Sequence, residues 1–156
     1  MEITQLDERV KKFIRQQGWY EGRKVNIDNW IEQLVKEGYL CFSYAKEVLE
    51  ELGGIYIKSG NVRIGNCIPG EFDFNALDAA SGEFDRMEIF ESLAGESLFP
   101  LGMIHQYFMY VGPSEKIYMG DCTKLYIVGN NLEDFLNNVI LGLRKPILIE
   151  NCSTNG

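Results

Sequence analysis

The spacing of apolar residues divides this sequence into a helical first third and a remainder built largely of short, strand-length runs. In the first third, apolar positions recur every three or four residues and predict three amphipathic helices. The first is predicted over residues 4–17, the second between Asp28 and Gly38, and the third over residues 44–52. Asp28 and Ser43 are predicted to cap the second and third helices, because such side chains accept hydrogen bonds from first-turn amides.

The pair Gly53-Gly54 ends the third predicted helix and precedes a predicted strand. A residue that ends a helix often takes a positive φ, which a β-branched side chain resists. Gly53 is therefore predicted to be left-handed, and Gly53→Val is predicted to destabilise the protein. Because the two glycines do not open a helix, they are not interpreted as a phosphate-binding loop.

Short strands and two more helices are predicted in the rest of the chain. A hairpin is predicted over residues 55–64, with its turn at residues 59–61. The other predicted elements are strands over residues 71–74, 98–104, 107–111, 116–119, 125–128 and 146–149, and helices over residues 84–94 and 132–143. This order predicts one α+β domain over residues 1–149, a mostly antiparallel or mixed sheet flanked by helices, and a flexible tail at residues 150–156.

The excess of acidic residues is confined to one part of the sequence. The formal net charge is −8, and residues 64–115 account for all of it, with nine acidic residues against Arg86 alone. A field of this sign repels phosphate backbones and anionic lipid, so no direct nucleic-acid or membrane binding is expected. It attracts a basic protein and speeds the encounter. The alternative is a solvated acidic face that only aids solubility, and both interpretations are open.

Catalytic motifs are missing from the sequence, which has no G-x-S-x-G elbow, P-loop, G-x-G-x-x-G or H-E-x-x-H. The single histidine, His105, lies in an apolar, aromatic strand context, where a structural role is expected. Glu88 and Glu91 are three residues apart on a predicted helix and are interpreted as an exposed acidic face rather than as an acid–base pair. No enzymatic activity is therefore predicted.

The four cysteines, Cys41, Cys67, Cys122 and Cys152, are widely scattered and form no C-x-x-C pair. Zinc sites usually use closely spaced ligand pairs, so a site built from Cys67, Cys122 and His105 is not expected, and no cofactor or metal is predicted. Ordinary thiols are the preferred interpretation. The sequence also has no apolar run of about 20 residues and no secretory signal pattern, and a cytoplasmic location is predicted.

Several segments occur in an order that is typical of one known family. They are Gly18-Trp19-Tyr20-Glu21-Gly22-Arg23-Lys24-Val25, Trp30, Leu34, Gly38-Tyr39, Ala45, Leu49, Leu52-Gly53-Gly54-Ile55, Phe72-Asp73-Phe74 and Leu98-Phe99-Pro100-Leu101-Gly102. Over residues 13–143 the sequence resembles the third group of the SUKH superfamily, bacterial immunity proteins similar to the yeast Smi/Knr-type cell-wall regulators. Ile55 departs from the leucine that is more common in the family, and residues 103–111 match none of its motifs.

The resemblance implies a cytosolic antidote with a mixed sheet and surrounding helices, which binds a cognate toxin and has no catalytic set. Such toxins are typically nucleases or nucleic-acid deaminases, and a basic surface that grips nucleic acid would complement the acidic region. The candidate contacts are Asp73, Asp78, Asp85, Glu88, Glu91 and Glu96, together with the aromatic residues Tyr107 and Tyr110, which are expected to be exposed.

Two other functions are open at the level of the sequence. One is a regulatory or scaffolding protein of the same fold with a housekeeping protein partner. The other is a small hydrolase or transferase whose site is assembled from distant residues and carries no recognisable motif. Trp19, Trp30, Gly53 and Gly54 are expected to serve packing and backbone geometry rather than partner binding.

Overall fold

The computed structural model describes residue 3 and residues 5–57 and 71–150. In these residues the helices are α1 (Glu8–Gln16), α2 (Asp28–Glu37), α3 (Ser43–Leu52), α4 (Ala76–Ala80), α5 (Met87–Ala94) and α6 (Leu132–Leu141), with a 3-10 turn at Phe84–Arg86. The strands are β1 (Tyr56–Ile57), β2 (Phe72–Asp73), β3 (Phe99–Ile104), β4 (Tyr107–Val111), β5 (Ile117–Gly120), β6 (Leu125–Gly129) and β7 (Ile147–Leu148). The predicted single-domain α+β fold is confirmed.

The seven strands found in the described ranges form one antiparallel sheet in the order β1 to β7. Each of these seven strands lies beside the next described strand along the chain. Helices α4 and α5 connect the adjacent strands β2 and β3, and α6 connects β6 and β7. Tyr110 of β4 lies opposite Tyr118 of β5. The register of β3 shifts between Pro100 and Gly102, which marks an irregularity in the longest strand.

Helices α5 and α6 pack on opposite faces of this sheet. Phe90 of α5 contacts Tyr110, with ring centroids 5.5 Å apart. Phe135 of α6 contacts Phe72 of β2, with ring centroids 5.7 Å apart. Phe72 of β2 and Tyr107 of β4 pair with the same residue of β3, so the two side chains lie on the same face of the sheet. Tyr107 and Tyr110 are three residues apart on β4 and therefore point to opposite faces. The apolar core therefore lies on both sides of the sheet.

Helix α1 begins later than the predicted start at residue 4. The Asp7 side chain accepts a hydrogen bond from the Arg9 amide at 2.8 Å and caps the helix there. The Asp7 amide donates to Asn137 of α6 at 2.9 Å, and the Asn137 side chain donates to the Gln5 carbonyl at 3.2 Å. Because residues 5–7 are bound to α6, they cannot continue the helix backwards.

The predicted caps of α2 and α3 are wrong. Asp28 and Ser43 are the first residues of these helices, the residues before them are Ile27 and Phe42, and neither helix has a side-chain cap hydrogen bond. The predicted end of α2 is confirmed, because Gly38 follows it at a φ of +119°. At the start of α2, the Asn26 side chain instead accepts a hydrogen bond from the Asp28 amide at 3.0 Å, so the side chain that binds the first amide precedes the predicted cap.

The elements between β1 and β3 differ most from the prediction. Residues 58–64 of the predicted hairpin lie outside the described residues, and the described partner of β1 is β2. Helix α4 was not predicted, because five residues are too short to show a helical period; Asn75 caps it by accepting from the Asp78 amide at 3.1 Å. The helix predicted over residues 84–94 is divided into the 3-10 turn and α5.

The left-handed residue after α3 is Gly54, with a φ of +85°, and the prediction that Gly53 is left-handed is wrong. Gly53 has a φ of −52°, which any residue can adopt. A glycine is needed at position 53 because there is no room for a side chain. A Cβ on Gly53 would lie 2.4 Å from the Leu49 carbonyl oxygen and 3.2 Å from the Ile27 side chain.

Gly53→Val is still expected to destabilise the protein, by about 1–3 kcal/mol, because the added carbons overpack a backbone that cannot move away. Thermal or urea denaturation measures the loss. The control is Gly54→Asn, since asparagine tolerates a left-handed backbone and a Cβ on Gly54 would meet only the Arg23 guanidinium, at an ordinary contact distance of 4.0 Å among the described residues. A smaller loss in Gly53→Val than in Gly54→Asn would contradict the steric explanation.

Candidate partner-binding surface

The outward face of α5 and of the 3-10 turn before it combines two acidic residues with one aliphatic residue and one hydroxyl. These are Asp85, Glu88, Ile89 and Ser92, all exposed; Phe84 of the turn is also exposed, but its ring packs against Tyr39. Met87 and Phe90 lie on the inner side of the helix and are buried. Gly120 of β5 leaves room for the Phe90 ring, because a Cβ there would lie 2.8 Å from it. The helix is therefore held firmly by its inner side.

A groove runs between this face and the turn that joins β5 to β6. It is lined by Glu88, Ile89, Ser92, Leu93 and Thr123, and its volume is about 360 Å³. Ile89 is 46% exposed, which is a large exposure for an aliphatic side chain on a helix. The groove is open to solvent along its length and has a mixed polar and apolar lining.

The single cation of residues 64–115 does not neutralise this face. Arg86 forms an ion pair with Glu83 at 2.6 Å, and its guanidinium lies 4.9 Å from the centre of the Phe108 ring. Asp85 and Glu88 have no ion pair within the part of the chain that the structure describes. Both carboxylates are therefore exposed to solvent and free of an ion pair in these ranges.

Glu91 and Glu96 use their carboxylates inside the protein. Glu91 accepts a hydrogen bond from the Leu98 amide at 2.8 Å. Glu96 accepts from the Ser114 amide at 2.9 Å and from the Tyr118 hydroxyl at 2.5 Å. Burial by itself raises the pKa of Glu96, but these hydrogen bonds to the ionised form outweigh it and hold the pKa below its ordinary value. Both residues connect the end of α5 to the sheet.

Asp73 and Asp78 lie in different environments. Asp73 is half-buried on β2, where burial raises the pKa of its carboxyl, and it accepts from the Asn75 amide at 3.2 Å. Asp78 is exposed on α4. Of the six acidic candidates, Asp78, Asp85 and Glu88 are therefore the ones whose carboxylates are exposed.

The expectation that Tyr110 is an exposed aromatic is wrong. Its side chain is 1% exposed, because it points to the face of the sheet that α5 covers and packs against Phe90 and Phe108. Burial raises the pKa of its hydroxyl, which has no hydrogen-bond partner among the described residues. Strand periodicity alone does not show which face a helix covers.

Tyr107 is half-buried and projects from the opposite face of the sheet. Its ring contacts Tyr126 edge-on, with centroids 6.2 Å apart. The structure therefore does not bring Tyr107 together with the acidic residues of α5. The sequence did not identify Ile89, Ser92, Leu93 and Thr123 as residues of the candidate surface. The helical period that places Met87 and Phe90 on the buried side of α5 also places Ile89 on the exposed side.

The tryptophan and arginine of the Gly-Trp-Tyr-Glu-Gly-Arg segment hold the chain to the end of α3. The Trp19 indole donates to the Glu51 carboxylate at 2.8 Å, and both side chains are buried, at 3% and 4% exposure. The Arg23 guanidinium donates to the backbone oxygens of Glu51 and Gly53 at 2.6 and 2.7 Å. These contacts give Trp19 and Arg23 a role in packing.

His105 lies in the exposed turn between β3 and β4, so the expected apolar strand context is wrong. It has a φ of +53°, and its amide donates to the Glu71 carbonyl at 2.8 Å. The turn breaks the strand because the chain must reverse there. Of the two residues of the predicted exposed acidic face, Glu88 is exposed, whereas Glu91 is half-buried and accepts a hydrogen bond from the Leu98 amide.

The zinc set that the sequence raised is only partly described. Cys122 and His105 are both exposed, whereas Cys67 lies outside the described residues. In residues 3, 5–57 and 71–150, no three histidine, cysteine, aspartate or glutamate side chains are close enough together to hold a metal ion.

No helix in the same ranges combines the length and the apolarity that crossing a membrane requires.

Comparison with known proteins identifies one family. The family described as SUKH-3 immunity protein matches residues 6–142, which include all six helices and the strands β1 to β6 of the described ranges. Searches of curated proteins and of solved structures found no match. Because the match extends over most of the chain and agrees with the fold, this protein belongs to the SUKH-3 immunity protein family.

Proposed function

We propose that this protein binds a cognate toxin in the bacterial cytosol and neutralises it without catalysing a reaction. The observation that carries the proposal is the match to the SUKH-3 immunity proteins over residues 6–142. The proposed functional unit is a single domain over residues 1–149, and residues 150–156 are proposed to be a tail.

The partner is proposed to be a toxin of a polymorphic system with a basic surface, such as a nuclease or a nucleic-acid deaminase. The exposed carboxylates of Asp78, Asp85 and Glu88 support this, because they present negative charge that a nucleic-acid-binding surface would attract. Asp73, Glu91 and Glu96 are proposed only as surroundings of the contact, and Tyr107 is not included because it projects from the opposite face of the sheet.

The test is co-expression with the product of the neighbouring open reading frame, in its native form and in a form inactivated by mutation. The wild-type protein is expected to restore growth and to bind the inactivated toxin, and it is expected to have no hydrolase, nuclease or deaminase activity alone. If it neither binds nor protects, the antidote function is refuted and a regulatory or scaffolding role takes its place.

His105→Ala is expected to protect cells as well as the wild-type protein does. The side chain is exposed in a turn, and the hydrogen bond from His105 to the Glu71 carbonyl uses the backbone amide, which alanine retains. Growth after toxin induction is the measurement, with a thermal melt to show that the variant is folded. Loss of protection by a folded variant would show that the histidine acts in the function.

A further inference from the structure

The groove beside α5 is lined by two aliphatic residues, Ile89 and Leu93, with Glu88 and two hydroxyl residues at its sides. We propose that it receives one apolar side chain of the toxin, and that lysine or arginine residues flanking that side chain face Asp85 and Glu88. This inference rests on the proposed function and specifies its contact surface. Interfaces combine an apolar anchor in a pocket with a polar rim, and Ile89 with Asp85 and Glu88 has this arrangement.

The groove is preorganised by the interior of the protein. Phe90 packs over Gly120 and against Tyr110, which fixes the rotation of α5 about its axis. Gly95 ends the helix at a φ of +73°, and the Glu91 carboxylate fixes the Leu98 amide beyond it. A rigid site loses little conformational entropy when a partner binds, so its contacts contribute more of their energy to affinity.

The charges around the groove select a cationic partner. Arg86 is the nearest cation in the sequence, and it is held by Glu83 and by the Phe108 ring. Asp85 and Glu88 form no ion pair among the described residues, although Arg86 attracts Asp85 without pairing with it. A neutral or acidic partner would have to desolvate these carboxylates without compensation, whereas a lysine or arginine compensates for the cost.

The two parts of the site are expected to act on different rate constants. An apolar anchor that leaves its pocket only on dissociation determines mainly the dissociation rate. Exposed charges at the rim act before contact and determine mainly the association rate and its dependence on salt. Ile89 and the acidic pair can therefore be separated kinetically.

The test measures association and dissociation rates with the inactivated product of the neighbouring open reading frame. Ile89→Arg is expected to increase the dissociation rate by about 30-fold or more, because the long cationic side chain fills the groove and repels the basic flanks. The control is Val35→Arg on α2, since Val35 is 47% exposed and also lies on a helix. It is expected to change the dissociation rate by less than about twofold.

Each outcome decides the inference. A selective increase in the dissociation rate of Ile89→Arg, with an unchanged melting temperature, supports the anchor. If Ile89→Arg and Val35→Arg behave alike while the wild type binds, the antidote function stands and the groove is not its contact. If Ile89→Arg changes only the association rate, the proposal that the groove receives an apolar side chain of the toxin is also wrong. If the wild type does not bind, both proposals fail.

Discussion

Reversal of Asp78, Asp85 and Glu88 to lysine is expected to slow association with a basic toxin by about tenfold or more at low ionic strength. All three carboxylates are exposed, so they attract the partner before contact. The wild-type rate should fall steeply as salt is added, and the triple variant should show a shallower dependence, because the local attraction has been removed. Stopped-flow or surface plasmon measurements across a salt series give both quantities.

The matched control reverses Glu8, Glu32 and Glu47, which are exposed on α1, α2 and α3. It makes the same change in net charge but at a distance along the chain from the acidic segment. Glu91 is left unchanged in the test set because its carboxylate binds the Leu98 amide. Equal slowing in both triple variants would mean that only total charge matters, and no slowing in either would mean that the acidic residues are a solvated surface.

Trp19→Phe is expected to lower the free energy of unfolding by about 2–4 kcal/mol, because it removes a hydrogen bond to a buried carboxylate. The indole of Trp19 donates to Glu51 at 2.8 Å, and phenylalanine has no donor to replace it. For a chain of this length the loss corresponds to a fall of about 4–16 °C in melting temperature. Denaturant titration with an unchanged slope would show that the fold itself is retained.

Two companion variants make the result specific. Tyr20→Phe changes the next aromatic residue, which is exposed, and should alter stability by less than about 0.5 kcal/mol. Adding Glu51→Met to Trp19→Phe replaces both polar partners with apolar groups and should recover part of the loss. If Trp19→Phe costs no more than Tyr20→Phe, the buried hydrogen bond does not contribute to stability.

The strands from β3 to β6 and the helices α2, α3 and α6 follow closely from the sequence pattern. Their apolar residues repeat over enough positions for the period of 2 or 3.6 to be distinct, and Gly38 ends α2 as expected. Helix α4 is too short to show a period, and the start of α1 depends on Asn137, which is 130 residues away from Asp7. Contacts at that separation leave no mark on local spacing.

The candidate surface was predictable as a charged segment but not residue by residue. The acidic residues of residues 64–115 have similar sequence contexts, but their carboxylates have different environments in the fold. The carboxylate of Glu91 accepts from a backbone amide, and that of Glu96 accepts from a serine and a tyrosine. Asp85 and Glu88 are exposed. Tyr110 has the aromatic character of an interface residue and is buried beneath α5. Which carboxylates are exposed depends on how α5 lies on the sheet.

By itself, the sequence determined the fold class, the order of most elements, the excess of negative charge and the family resemblance, because these depend on local spacing, composition and motif order. Only the tertiary structure decided that Gly53 is needed for space rather than for a left-handed backbone, and that Ile89 borders a groove. The reason is physical: both properties are created by atoms that are distant in sequence or on other elements, and they arise only when the helices pack.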